Sequence, residues 1–121
     1  MKKMIATVIC VSLLAQWGAM AADYKTSTPE LIKKGKAAYT TNCMTCHGEK
    51  GDGKGPAGVA LKPAPRNFAK DPFKKGDKTE QIFDTITKGL PGTTMVPYGH
   101  LPEADRWAIA HYIQTFRPAK K

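Results

Sequence analysis

The 121-residue sequence predicts a small all-α domain with three main helices and long loops. Three observations carry this. Capped stretches of helical periodicity occur three times, near residues 28–41, 77–88 and 102–117. No segment shows the alternation of a strand. Between the first two helices stands Cys43-Met44-Thr45-Cys46-His47, the C-x-x-C-H form of covalent c-type haem attachment. Cys43 and Cys46 can each form a thioether to the porphyrin, and His47 then presents its imidazole to the iron. The helices and loops would wrap around that one haem. A redox C-x-x-C needs a strand–helix–strand context, and structural zinc needs four ligands. Neither condition is met.

The chain opens with Lys2 and Lys3, an apolar run from Ile5, and Ala19-Met20-Ala21. This is the pattern of a secretory signal with a small-x-small cleavage site. Residues 1–21 are therefore expected to be removed, leaving 22–121 as one domain with no integral membrane span. Ser12, Gln16 and Gly18 dilute the run, which falls short of the ~20 apolar residues of a membrane helix. Cys10 leaves with it, so Cys43 and Cys46 are the only thiols in the mature chain. Loss of Lys2 and Lys3 lowers the formal net charge from +9 to +7. Export argues against nucleic acid as the partner. It places the protein in the periplasm, where a basic surface can steer it toward acidic redox partner proteins.

The first helix starts at Thr28 as N-cap with Pro29 at its first position and runs to about Thr41. Ile32, Gly35, Tyr39 and Cys43 share one face. Gly35 is a poor helix former, and its expected use is close approach by another helix. Residues 48–62 are a glycine-rich loop. Gly51-Asp52-Gly53-Lys54-Gly55 lacks the spacing and preceding strand of a phosphate loop. Val59-Ala60-Leu61 could cover a haem edge. Pro63 and Pro65 hold the next stretch extended. Lys70, Lys74, Lys75 and Lys78 form the densest basic cluster.

The second helix is expected over 77–88, capped by Asp77 and stopped by Gly89. Ile82, Phe83 and Ile86 form its apolar face. Residues 90–99 are a loop broken by proline and glycine. The last helix starts near Pro102, buries Trp107, Ile109, Ala110, Tyr112, Ile113 and Phe116, and ends at Pro118.

The sixth ligand of the iron follows by elimination. Met1, Met4 and Met20 leave with the signal, and Met44 lies between the attachment cysteines. Met95 remains, with His100 and His111 as competitors. A thioether ligand raises the reduction potential relative to bis-histidine ligation. With His47 and Met95 both on iron, substrate has no direct access, and the expected role is electron transfer rather than catalysis. A dedicated subunit of one oxidoreductase complex is the alternative. An open-site haem sensor or peroxidase-like enzyme is a third reading.

These residues resemble the class I monohaem cytochromes c of the bacterial periplasm. The resemblance rests on Gly35-x-x-x-Tyr39, Cys43-x-x-Cys46-His47, Gly55-Pro56, Pro65-Arg66-Asn67-Phe68, Thr93-Thr94-Met95 and Leu101 to Trp107. It implies the small cytochrome c fold around one haem c. It also implies that Gly35 and Tyr39 meet residues such as Ala110 and Tyr112. The Pro56 carbonyl would accept the proximal imidazole N–H, Arg66 would meet a propionate, and Phe68 would support the pocket. Val96 stands where the family often has proline after its methionine, and Pro102 replaces the usual Ser or Thr cap.

Overall fold

The structure, a computed structural model, describes residues 22–119, so the expected signal segment and Cys10 lie outside the described residues. Helix α1 spans Pro29–Asn42, α2 Met44–His47, α3 Thr79–Lys88 and α4 Glu103–Gln114. A 3₁₀ turn covers Gly58–Ala60. Among the described residues there is no strand. None of the described helices is long and apolar enough to cross a membrane.

Helix α1 begins as its sequence dictates. The Thr28 hydroxyl accepts the Leu31 N–H at 3.1 Å, and Pro29 takes the first position. Its principal contact is with α4. Gly35 is the point of closest approach: a Cβ there would collide with the Ala108 carbonyl and lie 2.9 Å from the Tyr112 Cβ. At the glycine the crossing involves Ala108 and Tyr112, with the Ala108 carbonyl facing it, and Ala110 is buried in the same core cluster as Tyr39. Tyr39, 1% exposed, packs edge-on against Tyr112 with centroids 5.2 Å apart.

Helix α3 starts two residues later than Asp77. The Lys78 N–H donates to Gln81 Oε1 at 3.1 Å, which makes Lys78 the N-cap. Asp77 is engaged elsewhere, with its carbonyl taking the Gln114 amide and its carboxylate 3.5 Å from Arg117 Nη2. Gly89 ends α3 at φ 68°, a left-handed conformation that favours glycine. Ile82 and Ile86 are buried against α4, and Phe83 stacks on Trp107 at 4.3 Å.

Helix α4 is buried over Trp107–His111 and at Ile113. It stops at Gln114, before Pro118. Thr115, Phe116 and Arg117 donate instead to the carbonyls three residues back. Proline disfavours the α conformation in the residue preceding it, and the last turn tightens accordingly.

Candidate functional site

Cys43 ends α1 and starts α2. Its N–H donates to the Tyr39 carbonyl at 2.8 Å, but its own φ of −121° breaks the helix. The chain turns there and restarts as Met44–His47, with the His47 N–H on the Cys43 carbonyl at 2.9 Å. The turn brings Cys43, Cys46 and His47 to one cavity, from which Met44 and Thr45 are absent. No disulfide joins the two cysteines. Burial, then the neighbouring Cys46, pushes the Cys43 thiol up to about 12.

The cavity is bounded by five pieces of chain. They are the α1–α2 junction, residues 61–74, the inner face of α3 with Ile82 and Ile86, the loop carrying Met95, and α4 through Ile113. Counting its open mouth, it encloses about 1120 Å³. Its lining is mostly apolar, with Arg66 and Lys74 as the charged members. That is the make-up of a site for a large, flat, mainly apolar group with charged edges.

His47 is half-buried, and its Nδ1, which is out of solvent, has no hydrogen-bond partner. Burial lowers its pKa below the usual histidine value, favouring the neutral, ligating imidazole. The Arg66 backbone opposes that shift. Phe68, 6% exposed, stacks on the His47 ring at 4.6 Å and 19°.

Pro56 does not fill its expected place. It is exposed, lines no part of the cavity and makes no hydrogen bond to His47. The reason lies in the loop around it. Gly53, Gly55 and Ala57 donate their N–H groups to the carbonyls of His47, Cys46 and Thr45 at 2.8, 3.2 and 3.0 Å. The 53–57 segment is thereby spent on satisfying the end of α2. Val59 likewise turns outward, at 70% exposed, and only Leu61 of that trio lines the cavity.

Tyr39 supports the site from behind rather than lining it. Its hydroxyl donates to the Gly48 carbonyl at 2.7 Å, one residue past His47. Burial raises its phenol far above the usual tyrosine range, which keeps it a donor. Gly48 also accepts the Gly51 N–H at 3.2 Å, so Tyr39→Phe should cost only about 1 kcal/mol. Urea unfolding measures this, and an unchanged midpoint would mean that the bond contributes nothing.

Met95 lines the cavity from the loop after α3. The Thr93 hydroxyl accepts the Met95 N–H at 3.1 Å and donates to the Leu90 carbonyl at 2.7 Å. The Met95 carbonyl in turn takes the Leu90 N–H at 3.0 Å. His100 is exposed beside Tyr98, and His111 is held by the Tyr24 carbonyl at 2.8 Å. Neither of these two histidines lines the cavity. Phe73, Tyr98 and Ile113 do line it, although no local pattern marked them for the site. Among the described residues, no cluster of three His, Cys, Asp or Glu side chains could hold a metal ion.

A profile of the cytochrome c family matches residues 32–117. Thiosulfate dehydrogenase of Stutzerimonas stutzeri (strain A1501) is 30% identical over 84 residues, 69% of this chain and 27% of that protein. The cbb3-type cytochrome c oxidase subunit CcoP of Azospirillum sp. (strain B510) is 30% identical over 89 residues, 74% of this chain and 30% of that one. The chain thus spans less than a third of these relatives' length. Among solved structures, the reducing HAO-like protein complex of Kuenenia stuttgartiensis aligns with a TM-score of 0.63 at 32% identity. That alignment covers 77% of this chain and 44% of the other.

Proposed function

This chain belongs to the cytochrome c family, and we propose that it is a periplasmic electron-transfer protein with one covalent haem c and His47/Met95 ligation. The observation that carries the proposal is the convergence of Cys43, Cys46, His47 and Met95 on one apolar cavity, from different parts of the chain. The lowered pKa of His47 keeps its imidazole neutral, the form that can ligate. When bound, the haem supplies an iron that takes up or releases one electron.

The protein's own residues set how that happens. Cys43 and Cys46 would hold the group through thioethers, and His47 and Met95 would ligate its iron. A soft thioether ligand favours the reduced state. Phe68, Ile82 and Ile86 keep water from the site, which disfavours the extra positive charge of the oxidised state. Arg66 and Lys74 offer positive charge to the propionates. With His47 and Met95 both ligating, substrate would have no direct access to the iron, so the chain would carry electrons rather than act as an enzyme. The exposed Lys70, Lys74, Lys75 and Lys78 would steer it toward acidic redox partners, and exchange should slow as salt rises.

Met95→Ala tests the ligand assignment. The expected variant is high-spin at rest, binds carbon monoxide and has a lower reduction potential. A spectrum and potential identical to the parent would remove Met95 from the site. A parent protein that is already high-spin and binds carbon monoxide would instead favour the sensor or peroxidase-like reading.

A second reading, a dedicated subunit of one oxidoreductase, draws on the matched relatives. One is named as an oxidase subunit and another comes from a protein complex. Stable co-purification with a single enzyme at high salt would favour it over a free shuttle.

A further inference from the structure

Arg117 stands beyond α4, yet its side chain grips the wall of the cavity. Its Nη1 donates to the carbonyls of Phe68 and Asp71 at 3.1 and 3.2 Å. Its Nη2 lies 3.5 Å from Asp77 Oδ2, and its Cζ sits 4.8 Å from the centre of the Phe73 ring. The side chain is only 25% exposed.

The clamped segment, residues 68–77, has no helix or strand of its own to hold it. It nevertheless supplies Phe68, Phe73 and Lys74 to the cavity. Phe68 stacks on His47 at 4.6 Å and also lies near-parallel to Phe73 at 5.9 Å. A continuous mechanical path therefore runs from the guanidinium through this wall to the imidazole. A planar fork with five donors can serve two carbonyls and a carboxylate at once, while a lysine ammonium cannot reproduce that geometry.

We infer that Arg117 is a positioning residue for the axial imidazole, holding His47 in orientation and shielding it from water by clamping the Phe68–Phe73 wall. The inference rests on His47 being an iron ligand. Orientation of the imidazole and exclusion of solvent both tune the iron. Loosening the wall hydrates the site and favours the oxidised form.

The test uses the haem-loaded protein with Arg117→Lys and Arg117→Gln. Redox titration, visible spectra, thermal unfolding and amide hydrogen exchange are read together. Both variants should keep a low-spin spectrum and exchange faster over residues 68–77. Both should shift the ferric/ferrous equilibrium toward ferric by roughly threefold or more, about 30 mV at 59 mV per tenfold for one electron.

Unchanged potentials in both, with only a lower melting temperature, would reduce Arg117 to a structural staple. A shift in Gln alone, with Lys like the parent, would make the effect one of charge and overturn the clamp. If either variant fails to fold, Phe73→Leu removes the ring beneath the guanidinium and must shift the potential the same way. A parent potential in Phe73→Leu overturns the inference. Failure of the underlying reading shows separately: the parent protein itself would then keep its spectrum when His47 is replaced by alanine.

Discussion

Gly35→Val should leave no stable native state, and Gly35→Ala should cost about 2–3 kcal/mol. The ordinary expectation has the opposite sign, since alanine is favoured over glycine in a helix interior by about 1 kcal/mol. Here the added methyl would collide with the Ala108 carbonyl and meet the Tyr112 Cβ at 2.9 Å. The Ala108 carbonyl is backbone in the middle of the most buried helix, so it cannot swing aside as a side-chain tip would. Helix α1 must back away from α4 instead. Such a shift withdraws Tyr39 from Tyr112 and Phe116 and moves Cys43, which ends α1. A domain of this size holds only about 5–15 kcal/mol in total, so two further methyls exhaust the margin. Urea unfolding of the haem-loaded variants measures this. A Gly35→Ala protein as stable as the parent would mean that the crossing is looser than its geometry.

Features set by neighbouring residues are legible in the sequence itself. Thr28 and Pro29 start α1, Gly89 stops α3, and C-x-x-C-H marks the site, because each acts within a few residues of itself. The close approach at Gly35 is also legible, since a glycine inside a helix needs a packing reason. Tyr112 as a partner follows from the family resemblance, but the Ala108 carbonyl does not, because helical periodicity gives a face but not the register between two helices. Asp77 misleads for a different reason. It has the residue type and spacing of a cap, but Gln114 and Arg117 engage it from across the chain.

The site divides the same way. His47 can be singled out from its motif and Met95 by elimination, and both line the cavity. Pro56 cannot be placed from its motif, because the backbone of its loop is occupied in closing α2. Arg117 carries no signal at all. Its acceptors are backbone carbonyls 46 and 49 positions away, which any residue type would present.

That closure of α2 makes Gly58→Ala a substitution that should damage haem attachment from outside the motif itself. A helix of four residues cannot satisfy its own end groups, and α2 leaves the carbonyls of Thr45, Cys46 and His47 to the following loop. The loop can reach them only by lying backbone against backbone. A Cβ on Gly58 would collide with the Cys46 carbonyl oxygen and lie 2.8 Å from the Gly53 carbonyl oxygen. Gly55 is as tightly placed, since a Cβ there would lie 2.6 Å from the Thr45 carbonyl carbon. Any relief must move either Cys46, which would carry a thioether under the proposed function, or the N–H groups that cap it. The expected cost is about 2–3 kcal/mol, together with a lower yield of covalently bound haem. The yield is read as the haem absorbance that stays with the chain after denaturation. Val59→Ala is the neighbouring control, since Val59 is 70% exposed and its truncation should stay within about 0.5 kcal/mol. If Gly58→Ala attaches haem as well as Val59→Ala does, α2 does not depend on the loop packed against it.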